Sequence, residues 1–216
     1  MFSFLFNLTR DNKYFFALFA IFMIVGAYWL YLMPKGELVL TINSMHTSTT
    51  DKLFYYLNFL GSGWAFIALV LVLTFVKYYF ALIALITFAG ETLIVQVLKR
   101  FVFQDAKRPF AVLGDAYDLQ LVEGVDLHHQ MSFPSGHTVT VMSMALLIVL
   151  ISKRPALGII VFPIALLVSF ARIYLVQHFF IDVYFGTLLG IGVTMLVVYY
   201  SSNFRKFTWA SKSILG

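Results

Sequence analysis

Six long apolar windows, at 14–33, 53–76, 78–98, 134–152, 156–175 and 179–200, limit what this 216-residue chain can fold into more than any other feature. A helix needs roughly 20 such residues to cross a hydrocarbon core about 30 Å thick, because it rises about 1.5 Å per residue. The fourth window is the weakest, since its first turn is the polar run Pro134-Ser135-Gly136-His137. The chain is 61% hydrophobic and 12% charged, with a mean hydropathy of +0.90. Soluble domains are about 45–50% apolar and about 25% charged. A soluble domain of this length has too little interior for so much apolar surface, so lipid is the expected solvent. The first window is too long for the apolar core of a signal peptide and no small-residue cleavage site follows it, so it reads as a retained signal-anchor. Disulfides and thiolate-held metals are excluded, because there is no cysteine.

The expected architecture is all-α: one domain over 1–216, built as a bundle of six transmembrane helices without repeats or low-complexity linkers. If the N-terminus is cytoplasmic, the inner segments hold eight Lys and Arg against Asp11 alone, a net +7, and the outer segments sum to −1. The cations themselves divide eight to seven, so the charge rule leans towards N-in, C-in. The inner connections are short, and the longest non-spanning stretch, 99–133, is an outer loop of a length usually associated with function or mobility. The 34–52 connection is a candidate to lie along the outer interface.

Alternate spans run in opposite directions. The ends of the third and fifth windows therefore share a membrane face with the starts of the fourth and sixth. Lys99 ends the third, and Ser135, Gly136 and His137 open the fourth. Arg172 closes the fifth, His178 and Asp182 open the sixth, and Arg108 lies in the loop between the third and fourth. The most unusual polar residues of the chain thus arrive at one face whichever way it is inserted.

Lys99, Arg108 and Arg172 supply three positive charges, and each guanidinium can make paired hydrogen bonds to a phosphate or carboxylate. A helix beginning at Ser135-Gly136 adds free backbone N–H groups and the positive end of a helix dipole. Gly136 lets a ligand approach closely, and Ser135 offers a hydroxyl. A tetrahedral oxyanion such as phosphate can use donors from more directions than a carboxylate can. His178 and Asp182 are four apart and share a helical face, so the carboxylate can hold one imidazole nitrogen and leave the other free to attack. His137, from another helix, can give a proton to a leaving oxygen. That set suffices for phosphoryl transfer without a metal, with the cations stabilising the charge on the transferred group.

Each residue alone has a plainer reading. Lys and Arg at helix ends are commonly snorkelling anchors, Ser-Gly before a helix is commonly a cap, and a His-Asp pair four apart is commonly a local hydrogen bond. Their joint arrival at one depth favours the site. His46, His128 and His129 read as interfacial or solvated residues, and Gly186 with Gly190 as a close helix contact, within the monomer or in a homodimer. Glu91, inside the third window, is costly if ionised, and reads as a protonated or hydrogen-bonded group near Gln96 or Asn58.

"PSGH" at 134–137 and "ARIYLVQHFFID" at 171–182 resemble the second and third signatures of the type 2 phosphatidic acid phosphatase superfamily, which also includes soluble vanadium haloperoxidases. The third signature reads Ser-Arg, five residues, His, three residues, Asp; Arg172, His178 and Asp182 fit it, and Ala171 replaces the Ser. The first reads Lys, six residues, Arg-Pro, whereas "KRFVFQDAKRP" puts eight residues between Lys99 and Arg108. Either the loop bulges, or Arg100 or Lys107 shares the role of Lys99. The resemblance covers roughly 50–200. It implies that His178 is a nucleophile forming a phosphohistidine, that Asp182 orients it and that His137 is the leaving-group acid. Lys99, Arg108, Ser135, Gly136 and Arg172 would hold phosphate, and no metal or other cofactor would be required.

The implied protein is a lipid phosphatase in the bilayer of a bacterial cytoplasmic membrane, its site facing the periplasm, with no nucleic-acid partner. Its substrate would be a polyprenyl diphosphate, phosphatidylglycerophosphate, phosphatidic acid or lipid A phosphate. Two rivals use the same residues: a phosphotransferase that passes the group to another acceptor, and a non-enzymatic anion or lipid-phosphate carrier.

Overall fold

The computed structural model describes residues 1–215, and no β-strand occurs among them. Its centre is a helix that the sequence makes apolar on every side. This helix, α8 (Gly136–Ser152), is buried at every position from Thr138 to Leu147. A helix without a polar face is stable only where neighbours surround it. Those neighbours are α10 (Phe180–Ser201), α9 (Gly158–Tyr174), α6 (Tyr78–Val97) and α5 (Gly63–Val76). Outside them lie α2 (Lys13–Leu32) against α9, and α4 (Ser48–Phe59), also against α9. Three short helices complete the chain: α1 (Phe2–Asp11), α3 (Glu37–Asn43) and α7 (Pro109–Leu113).

Four helical stretches are long and apolar enough to cross a membrane: Lys13–Leu32, Tyr78–Val102, Pro155–Tyr174 and Phe180–Lys206. A fifth is added if α4 and α5 count as one span. The expected unbroken helix over 53–76 is instead bent by 52° between Phe59 and Gly63. Two local causes are visible. The Ser62 hydroxyl accepts from the Ala65 N–H at 3.3 Å and starts a new helix, and a Cβ at Gly61 would stand 3.0 Å from the Cβ of His137. The bend thus brings bare backbone against the start of α8. At its other end α4 begins at Ser48 with a reciprocal cap, in which Thr47 Oγ1 accepts from Thr50 N–H and Thr50 Oγ1 from Thr47 N–H. With 17 residues, α8 is the short member of the set.

The pair Gly186 and Gly190 serves a contact inside the monomer. A Cβ on Gly190 would lie 2.5 Å from the Val139 carbonyl oxygen, and one on Gly186 would lie 3.0 Å from that of Ser135. The backbones of α8 and α10 therefore run in close contact, which holds the starts of both helices at one end of the bundle. The chain termini gather at the other end, where Phe4 packs on Tyr199 and the Ile214 N–H reaches the Thr74 carbonyl.

Candidate active site

The site end is assembled from the last turns of α6 and α9, the first turns of α8 and α10, and the 103–135 loop. Between α9 and α10 the chain reverses in five residues. Val176 has φ +57°, a conformation that β-branched residues rarely adopt, and it is buried. The turn lets the N–H groups of Gln177 and His178 both return to the Arg172 carbonyl, at 2.9 and 3.1 Å. Strain of this kind, about 1–3 kcal/mol, persists where the surroundings over-determine the backbone. Here it fixes His178 relative to Arg172.

His178 is 2% exposed and its Nδ1 lies 3.2 Å from Asp182 Oδ2. The same carboxylate oxygen accepts from the Ser132 hydroxyl and, at 3.0 Å, from the Phe179 N–H. The protein engages His178 through Nδ1, leaving Nε2 without a hydrogen bond among the described residues. Burial, together with the charges of Arg172, Arg108 and Lys99, holds the His178 imidazole well below the ordinary histidine range. It is a neutral base at neutral pH. With a proton on Nδ1 facing Asp182, the Nε2 lone pair is free.

The cations converge on it. Arg108, 7% exposed, donates from Nε to the Gln130 carbonyl and from Nη1 to both the carbonyl and the side-chain oxygen of Gln177. Burial lowers its pKa from the ordinary arginine value, opposed by the charge of Asp182, and it remains a cation at neutral pH. Arg172 donates to Asn58 Oδ1 and, at 3.4 Å, to Gln177 Oε1, and its Nε–H is buried without a partner. An orphaned guanidinium N–H in a ring of cations suits an incoming oxyanion. Lys99 donates from Nζ to the Met131 carbonyl at 2.9 Å and lies within electrostatic reach of Arg108, Arg172 and Asp182.

The longer first signature is accommodated by a π-helical turn at Leu98–Val102 and by the irregular chain that follows. That turn brings Lys99 into the cluster. Arg100 is exposed on Gln96, and Lys107 is exposed as well, so neither replaces it.

Ser135 is the N-cap of α8, its Oγ accepting from the Thr138 N–H and hydroxyl, and its own N–H donates to the Asp182 carbonyl at 3.1 Å. Capping uses an oxygen lone pair, so the Ser135 hydroxyl hydrogen stays available to a ligand. Gly136 stands beside it with only Val95 near its bare face. His137 follows on α8, within electrostatic reach of Arg172, His178, Lys99 and Arg108.

Three further residues belong to this arrangement. Gln177, 1% exposed, bridges the two arginines through Oε1 and donates from Nε2 to the Asp126 carbonyl. Ser132 supports Asp182, and Asn58 holds Arg172. In the sequence Gln177 is conspicuous only as an amide inside the apolar run "IYLVQHFF". Asn58 was expected near Glu91 but serves Arg172 instead. The polar neighbours of Glu91 on α8 are the hydroxyls of Thr140 and Ser143, which approach its carboxyl group without completing a hydrogen bond of normal geometry. His128 and His129 sit in the loop, where the His129 carbonyl accepts from the Arg108 backbone.

The family model described as the PAP2 superfamily matches residues 66–206, a range that contains all of the signature residues. The crystal structure of LpxE from Aquifex aeolicus aligns with a TM-score of 0.66 at 30% identity, covering 76% of this chain and 94% of that one. A transmembrane PAP2-type phosphatidylglycerolphosphate phosphatase from Bacillus subtilis shares the fold, with a TM-score of 0.65 at 23% identity over 89% of this chain and 98% of that one. No curated protein sequence matches the chain. The family match extends over more than half of the residues and takes in every signature residue, and the chain belongs to the PAP2 superfamily.

Proposed function

We propose that this protein hydrolyses the terminal phosphate of a membrane lipid phosphate through a covalent intermediate on His178. One observation carries the reading: a buried neutral imidazole is held through Nδ1 by Asp182, with Nε2 unengaged among Lys99, Arg108 and Arg172. Family membership and the LpxE likeness support the same reaction class. The phosphate oxygens would be held by the three cations, the N–H groups at the start of α8 and the Ser135 hydroxyl. His178 Nε2 attacks phosphorus, the bond from phosphorus to the lipid oxygen breaks, and His137 gives that oxygen its proton. Water then attacks the phosphohistidine phosphorus, its proton passing to His137, the bond from phosphorus to His178 Nε2 breaks, and phosphate leaves. The positive cluster stabilises charge on the transferred group in both steps.

The site lies at helix ends, so a headgroup can enter while its chains stay in lipid. The single domain sits in the bilayer with six crossings, α4 and α5 together forming one and α8 another. Both termini lie at the end opposite the site, and the charge pattern favours a cytoplasmic position for them. The site then faces the periplasm of a bacterial cytoplasmic membrane.

Purified protein in detergent with a chelator, given a panel of lipid phosphates, tests the reaction. Wild type should release stoichiometric inorganic phosphate, and His178→Ala should lower the rate by about 10⁴-fold or more. Activity in His178→Ala equal to wild type would overturn the proposal, and transfer of the phosphoryl group to another acceptor would convert it to the phosphotransferase reading.

A further inference from the structure

Glu91 lies on α6, two helical turns before Lys99. It is 1% exposed, and although the Thr140 and Ser143 hydroxyls approach its carboxyl group, neither oxygen makes a hydrogen bond of normal geometry among the described residues. A buried carboxyl group so weakly satisfied is costly and calls for an explanation. Glu91 does not face a sealed core. It lines a cleft of about 230 Å³ between the α4–α5 bend, α6 and the start of α8, together with Gln96, His137 and Thr140. Gln96 is exposed and marks the mouth, while Glu91 is buried at the inner wall. That volume admits several waters or a small polar group.

The position of His137 gives this space a direction. In the proposed reaction His137 protonates the leaving oxygen, so the alcohol half of the substrate must lie on its side of the phosphate. His137 and Gly136 both line the cleft. We propose that it receives the alcohol half of the lipid phosphate, and that Glu91 hydrogen-bonds to a hydroxyl or N–H group carried there. This inference rests on the hydrolase reading and deepens it. A carboxyl group offers acceptor oxygens, and the hydroxyl of Thr140 can complement it. The substrate class is then a lipid phosphate whose alcohol half bears free hydroxyl or amide groups, such as a glycerol or sugar. A plain diacylglycerol has no such donor, and the polyprenyl half of a polyprenyl diphosphate carries no alcohol or amide group either.

The test compares phosphatidylglycerophosphate, whose alcohol half carries a free glycerol hydroxyl, with phosphatidic acid of the same acyl chains. Both kcat and KM are measured for wild type, Glu91→Leu and Glu91→Gln, with thermal unfolding alongside. Glu91→Leu should lower the ratio of kcat/KM for phosphatidylglycerophosphate over phosphatidic acid by about tenfold, chiefly through KM, because a site built for a hydroxyl loses its partner. Glu91→Gln, which keeps a hydrogen-bonding side chain of the same shape, should hold the ratio within about threefold of wild type. If Glu91→Leu does not yield folded protein, Thr140→Val on the facing wall should shift the ratio in the same direction. An equal loss for both substrates, or no change for either, would overturn the inference while leaving the hydrolase reading in place. A wild type that releases phosphate from neither substrate, nor from the wider panel, would remove the hydrolase reading and this inference with it.

Discussion

Two histidine–aspartate pairs occur among the described residues, and the contrast between them shows what separates a closed structural pair from the candidate reactive one. His46 Nδ1 lies 2.9 Å from Asp51 Oδ1, while its Nε2 lies 3.3 Å from the Tyr174 carbonyl oxygen and 3.4 Å from Asn43 Nδ2. The ring stacks on Tyr174 with centroids 4.0 Å apart, and the Tyr174 hydroxyl donates to Asp51. Both nitrogens and one ring face are occupied. The result is a closed network that ties the 43–51 segment to the end of α9. His178 uses one nitrogen, and its Nε2 has no hydrogen bond among the described residues, with Arg172, Arg108 and Lys99 within electrostatic reach of the ring. The chemistry of the two side-chain pairs is the same; the second nitrogen decides which can act.

Removing the aspartates should separate the pairs most widely. Asp182→Asn should reduce phosphate release by about 10²-fold or more, because the imidazole loses the partner that sets its tautomer. Asp51→Asn should keep kcat within about threefold and lower the thermal unfolding midpoint, as expected for a packing network. Equal losses of activity in the two variants would break the distinction.

A smaller effect is expected at Gln177, which holds the arginines rather than the nucleophile. Gln177→Leu should raise KM and weaken inhibition by inorganic phosphate about tenfold, with kcat changed less than about threefold. A fall in kcat alone would mean that Gln177 acts on the His178 step instead.

The smallest change concerns pH. The folded pKa of His178 lies below its ordinary value, so the imidazole stays neutral as pH falls through about 6.5 and gains its proton only at lower pH. After correction for the second ionisation of the substrate, kcat/KM should hold or rise between pH 7.5 and 6, because His137 gains its proton more readily as pH falls while His178 stays neutral, and no acid limb should appear near 6.5. An acid limb centred near 6.5 that shifts in Asp182→Asn would show that the burial of His178 does not set its proton affinity.

Much of the molecule was legible without coordinates, and the residues that were not share a cause. The spacing of Arg172, His178 and Asp182 is local to one helix end and the turn after it, so it could be read directly. Gln177 sits beside His178 in sequence, but its value lies in meeting Arg108, which is 69 residues away. Asn58 was paired with the wrong partner because α6 is apolar on most of its surface, and its pattern does not reveal which way Glu91 points. His46 was read as interfacial, and nothing near it in sequence shows that its ring would stack on Tyr174.

The sequence by itself determined that this is a helical membrane protein and that its unusual polar residues meet at one face. Apolar length requires the crossings, and a chain that crosses must reverse, so the ends of some helices must join the starts of others. The tertiary structure alone decided which cation enters the cluster, where the second window bends, and that a buried Glu91 opens onto a cleft beside His137. Those features depend on the rotation of each helix about its axis. Packing between helices sets that rotation, and helices as uniformly apolar as α6 and α8 carry no periodic stripe that would encode it.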